Sequence, residues 1–115
     1  MKWHQLTKSE DLQSLIERSH QTPQVIFKHS TRCSISSMAK NRLESAVAPE
    51  GIDFHYLDLI AYRELSHKVA ADFHVHHESP QVLLISKGEC VYDESHMGIT
   101  MAEIAEQAQK TIGGT

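Results

Sequence analysis

Val25-Ile26-Phe27-Lys28-His29-Ser30-Thr31-Arg32-Cys33-Ser34-Ile35-Ser36-Ser37-Met38 changes its hydrophobic period halfway along. Val25, Ile26 and Phe27 are consecutive, apolar and β-prone, the pattern of a strand buried on both faces, predicted over Gln24 to Lys28. Beyond a polar loop, Ile35, Met38, Ala39, Leu43, Ala46 and Val47 recur at helical spacing. They predict a helix of roughly fourteen residues, ended by Pro49-Glu50-Gly51. Cys33 therefore falls at or next to a helix N-terminus, where unpaired N–H groups and the positive end of the helix dipole favour thiolate over thiol. A free thiol near pKa ~8.5 can drop by several units in such a place, more so beside cations. Lys28, His29 and Arg32 are the candidate cations.

The same punctuation organises the rest of the chain. Thr7-Lys8-Ser9-Glu10 has the form of a capping box, and Leu12, Leu15 and Ile16 follow at helical spacing, so a helix is expected from about Lys8 to Ser19. The lone Trp3 is expected to pack against it. Ile52 to Leu57 reads as a strand, and Leu65, Val69 and Phe73 describe a helix from Tyr62 to Phe73. Gln81 to Ile85 is the most apolar strand, and Lys87-Gly88-Glu89 reads as a hairpin turn into Cys90-Val91-Tyr92-Asp93. Thr100-Met101-Ala102-Glu103 caps a last helix that is expected to fray near Gly113-Gly114. The order α, β, α, β, α, β, β, α predicts parallel first strands, an antiparallel hairpin, and helices for both faces of a four-stranded mixed sheet. That is a thioredoxin-like α/β arrangement, expected to occupy residues 1–115 as a single domain.

Composition narrows the function classes. Apolar residues make up 40% and charged residues 23%, ordinary globular usage. A formal charge of −4 supplies no basic field for nucleic acid or an anionic membrane. The N-terminal residues lack the apolar core of a signal peptide, and no apolar run approaches the ~20 residues of a membrane span, so a cytoplasmic protein is expected. Two cysteines, Cys33 and Cys90, are too few and too far apart for a disulfide framework.

Lys28-His29-Ser30-Thr31-Arg32-Cys33, then Ile35-Ser36, with Ser79-Pro80-Gln81 downstream, resembles the monothiol bacilliredoxin family of the bacillithiol system over nearly the full chain. The resemblance implies a thioredoxin-like fold with a C-P-I-S type active site and thiol–disulfide exchange on protein mixed disulfides with bacillithiol. On that pattern Cys33 is the nucleophile, Ile35 and Ser36 are the third and fourth motif positions, and Pro80 is the proline facing the thiol. Ser34 stands where the family usually has proline. Proline there prearranges the first helical turn, so its replacement leaves the loop less rigid, although serine can bond locally in its stead. The implied co-substrate is bacillithiol, with no bound cofactor, and the implied partners are bacillithiolated proteins and a low-molecular-weight thiol.

A thiolate is the species that attacks a disulfide, which gives Cys33 its expected role. Ser36 sits where a dithiol enzyme carries its resolving cysteine. Its hydroxyl cannot exchange, but it can donate a hydrogen bond to the Cys33 sulfur. A mixed disulfide on Cys33 must then be released by a thiol from outside the motif, a monothiol cycle. Arg32, Ser34, Ser79 and Pro80 are the candidate substrate-binding residues. A cis Ser79–Pro80 bond is expected, leaving the Ser79 backbone free to pair with an extended substrate segment. His29 and Arg32 are candidates for steering a carboxylate-rich thiol toward Cys33. Cys90 reads as a small buried hydrophobe on a strand remote from the thiol loop. His74, His76, His77 and Glu78 read as a solvated loop beside the substrate groove, since their spacing lacks a matching second cluster for a metal. Two other classes share such a loop: an iron–sulfur carrier of the monothiol glutaredoxin type and a non-catalytic adaptor. The carrier has glycine after its cysteine and a glycine pair near its last strands, where this chain has Ser34 and the isolated Gly88 and Gly98.

Overall fold

The Val25-Ile26-Phe27 run becomes the central strand of the sheet, β2 (Gln24–His29), every residue of which is buried. The structure, a computed structural model, describes residues 1–112. Before β2 come β1 (Trp3–Gln5) and α1 (Ser9–Arg18), and after it α2 (Ser34–Ser45), β3 (Asp53–Asp58) and α3 (Arg63–Phe73). The chain closes with β4 (Gln81–Ser86), β5 (Glu89–Ser95), a 3₁₀ turn at His96–Gly98, and α4 (Met101–Ile112). Strand order is β1-β3-β2-β4-β5. β2 runs parallel to β3 and antiparallel to β4, with Lys28 opposite both Leu57 and Gln81.

Alternation along β2 splits the core in two. Val25 and Phe27 pack with Leu43, Ile104 and Ala108 beneath α2 and α4. Ile26 packs with Leu12, Leu15, Leu65 and Val69 beneath α1 and α3. The hairpin joining β4 to β5 turns through Lys87 and Gly88, both at positive φ (53° and 79°), which suits the right-handed twist of the paired strands.

Three expectations need correction. The sheet has five strands, because Trp3-His4-Gln5 adds a parallel strand at the edge of β3, with Trp3 opposite Phe54. This register carries Trp3 away from α1. Its ring stacks on Phe27 at 5.7 Å and meets Phe54 and Tyr56 edge-on, while its indole N–H donates to Glu44 of α2 at 2.7 Å. The capping box expected at Thr7-Lys8-Ser9-Glu10 does not form, because the helix begins one residue later and its N-cap makes no side-chain cap bond. Lys8 is the N-cap, and the carboxylate of Asp11 rather than Glu10 accepts from the Thr7 backbone N–H (3.1 Å) and hydroxyl (3.2 Å). At α4 the box forms in part, with Thr100 Oγ1 accepting from the Glu103 N–H at 3.2 Å. The fraying expected at Gly113-Gly114 lies outside the described residues. Among the described residues no helix is long and apolar enough to cross a membrane.

Candidate active site

β2 ends at His29, and after the three-residue loop Ser30-Thr31-Arg32 the next residue, Cys33, is the N-cap of α2 with extended backbone (φ −111°, ψ 121°). Its N–H donates to the Ser30 carbonyl at 3.1 Å, which closes the loop, and its carbonyl accepts the Ser37 N–H at 3.1 Å. Hydrogen bonds from the backbone N–H groups of Ser36 and Ile35, and from the Ser36 hydroxyl, hold the half-buried Cys33 thiol below the usual cysteine range, against a smaller opposing effect of burial. The first helical turn thus presents its unpaired N–H groups to the sulfur.

Ser36 has no exposed surface. Its Oγ accepts the Ser30 N–H at 3.3 Å and lies 3.5 Å from Ser79 Oγ, so it touches both loops of the site. The Ser79–Pro80 peptide is cis. Pro80 is buried, and its carbonyl accepts the His96 N–H at 3.0 Å. Cys33, Ser36, Ser79 and Pro80 are therefore gathered at one end of the sheet. Arg32 and Ser34 flank the thiol with exposed side chains, as does Ile35, 46% exposed. Met38 and Met97 are also exposed, and Arg42 ties α2 to the 3₁₀ turn by donating to the carbonyls of Ile99 (3.0 Å) and His96 (3.4 Å).

Two of the expected cations do not flank the thiol in the way their sequence positions suggest. Lys28 shares the parity of Ile26, so its side chain runs to the α1/α3 face, where it has no exposed surface and bonds His77 Nδ1 at 3.2 Å. His29 lies on the α2 face but is only 5% exposed, its Nδ1 bonded to Tyr56 Oη at 2.6 Å, so it is withheld from the solvent where steering occurs. Both contacts escaped the sequence reading, although counting alternate residues along β2 would have assigned the faces.

Cys90 lies on edge strand β5 opposite Ile85, beside the hairpin turn. Burial pushes its thiol up to about 11, and Sγ donates to the Tyr92 carbonyl at 3.3 Å. In the loop after α3, His74 is a left-handed C-cap, His76 and His96 approach Glu78 at 3.6 and 3.5 Å, and His77 faces Lys28. No group of three or more metal-binding side chains occurs among the described residues. A cleft of about 720 Å³ between the N-terminal ends of α1 and α3, lined by Thr7, Lys8, Tyr62, Arg63 and Lys68, is separate from the thiol loop.

Known structures share this architecture. A solved structure described as having a thioredoxin fold is 28% identical, with a TM-score of 0.79 and 90% of each chain covered. Thioredoxin from Trypanosoma brucei brucei matches at 12% identity and a TM-score of 0.75, over 97% of this chain and 92% of that one. Fasciola hepatica thioredoxin matches at 20% identity and 0.70, over 93% and 97%. The last two establish the thioredoxin fold alone. The family model described as Monothiol bacilliredoxin BrxC matches residues 4–104, a span that includes the Cys33 loop, Ser36 and Ser79-Pro80. With an N-capping thiol, a buried serine at the fourth motif position and that match, the chain belongs to the monothiol bacilliredoxin family.

Proposed function

We propose that this protein removes bacillithiol from protein mixed disulfides, using Cys33 as its one exchanging thiol. The observation that carries the reading is the Cys33 sulfur at the α2 N-terminus, facing the N–H groups of Ile35 and Ser36 with a hydroxyl in place of a second thiol. The Cys33 thiolate attacks the bacillithiol sulfur of the modified protein. A Cys33–bacillithiol disulfide forms, the protein–bacillithiol S–S bond breaks, and the electron pair leaves with the protein thiolate, which takes a proton from solvent. A second low-molecular-weight thiolate or a partner reductase then attacks the Cys33–bacillithiol disulfide and returns Cys33 to its reduced form. Ser36 acts as a hydrogen-bond donor to the sulfur and not as a resolving group. Arg32, Ser34, Ser79 and Pro80 supply the surface against which the substrate lies, with Arg32 available to bacillithiol's carboxylates.

The test is intact mass spectrometry of reduced protein incubated with a bacillithiolated model protein, using wild type, C33S and C90S. One bacillithiol adduct on wild type and C90S, with demodification of the substrate and neither event in C33S, is the expected outcome. An unmodified Cys33 and an unchanged substrate would sink the proposal.

A further inference from the structure

Lys28 is a fully buried lysine beside which no carboxylate forms an ion pair among the described residues. Its ammonium donates to His77 Nδ1 at 3.2 Å, so His77 is neutral and carries its own proton on Nε2. Such a burial is costly, and a hydrophobic side chain of similar volume would serve a core at least as well. Local rules of this kind are broken mainly where a function requires it.

What the ammonium holds is the loop from His74 to Ser79. His77 lies at its middle and also meets His67 of α3 edge-on at 6.4 Å, so Lys28 joins β2, the loop and α3. Gln81, opposite Lys28 in the sheet, grips the same loop by donating from Nε2 to the His76 carbonyl at 3.0 Å. Two residues beyond His77 the loop reaches Ser79, whose hydroxyl faces Ser36 at 3.5 Å. The loop is thus tied to the sheet from one face by Lys28 and to the thiol helix from the other by Ser36.

We propose that Lys28 is a positioning residue that acts through His77, holding the His74–Ser79 loop where Ser79 and Pro80 can receive the mixed-disulfide substrate. This rests on the reading of Cys33 as a reductant of mixed disulfides. Lys28 does not act on the sulfur, so its loss weakens substrate binding and leaves the thiolate unchanged.

Three variants test the idea: K28M, H77L and H77N, the last retaining an acceptor oxygen in place of Nδ1. His77 is solvent-exposed, so H77L carries the test if K28M does not fold. In K28M and H77L, amide hydrogen exchange across residues 75–79 is expected to quicken about tenfold while β2 and β3 stay protected. KM for a bacillithiolated protein should rise about fivefold or more at nearly constant kcat, with iodoacetamide alkylation of Cys33 within about twofold of wild type. H77N should lie close to wild type in all three. Unchanged loop exchange in K28M and H77L, or an equal loss of Cys33 alkylation, overturns the proposal. If wild type itself does not demodify the substrate, the reductant reading fails separately, and the exchange data alone then decide whether Lys28 holds the loop.

Discussion

Ser36 Oγ and Ser79 Oγ lie 3.5 Å apart, and the Ser36 oxygen also accepts the Ser30 N–H. One buried hydroxyl therefore joins the loop that carries the thiol to the loop that enters β4. In S36A the Ser30 N–H loses its acceptor and the Cys33 sulfur loses a donor. The Cys33 pKa should move up, its alkylation near neutral pH should slow, and stability should fall by about 1 kcal/mol. Alkylation rate against pH, with urea denaturation, checks both effects.

The fourth motif position offers a complementary test. S36C places a second thiol where a dithiol enzyme has one, and it should attack the Cys33–bacillithiol disulfide from within. Bacillithiol would then leave without an added thiol, and an internal disulfide between Cys33 and the introduced thiol, about two mass units below the reduced protein, should accumulate. Persistence of the bacillithiol adduct in S36C would show that a thiol at the fourth motif position cannot reach the sulfur of the adduct.

The two native thiols should separate cleanly by reactivity. Backbone N–H groups lower the Cys33 pKa, whereas burial lifts Cys90 to about 11. At pH 8 about one Cys90 in a thousand is thiolate, so limited iodoacetamide should label Cys33 alone. Peptide mapping after alkylation at pH 8 and again at pH 10.5 should show Cys90 labelling only in the second sample.

His55 predicts the acid limb of stability. It is 6% exposed, bonds Gln24 Oε1 through Nε2 at 2.7 Å, and is pushed down to about 4 by burial, with neighbouring His4 acting in the same direction. The unfolded chain takes up this proton near pH 6.5 and the folded chain only near 4. Stability is therefore complete above about pH 6.5 and is lost progressively toward pH 4, by up to about 3 kcal/mol. Urea midpoints between pH 7 and 4 measure the slope, and H55Q should flatten it.

Lys28 acts at the other end of the scale. Burial brings its pKa from 10.5 to about 8, so the unfolded chain holds the proton that the folded chain releases in that window. The contribution of Lys28 to stability should rise from pH 8 to 10.5, while deprotonation of unfolded Cys90 opposes it above pH 9. The groups near the ammonium are His77, whose pKa burial lowers, Glu78 of the same loop and His67 of α3. Subtracting the K28M stability curve from that of wild type should leave the rising component alone.

The alternating apolar segments made the layered α/β order readable, because each strand from β2 to β5 carries either consecutive β-prone residues or a positive-φ turn beside it. β1 was not readable. Three residues with one apolar ring give no period, and Trp3 becomes a strand residue only because Phe54 is available as its partner. The thiol's place at the helix start was legible from Cys33 and the spacing of Ile35, Met38 and Ala39. The environments of Lys28 and His29 were not, since nearness to Cys33 in sequence suggested shared space. In β2, adjacent residues point to opposite faces, and Lys28 reaches the loop after α3 across a contact of 49 positions. Such a pairing depends on how α3 and β4 settle together and leaves no local signature.

The position of Trp3 also gives the protein an internal optical gauge. It is the single tryptophan of the chain, held between the ring of Phe27 in the central strand and the carboxylate of Glu44 near the end of the helix that Cys33 begins. Its emission should therefore register any shift of that helix relative to the sheet, so loading and unloading of the thiol can be followed in real time without an added dye.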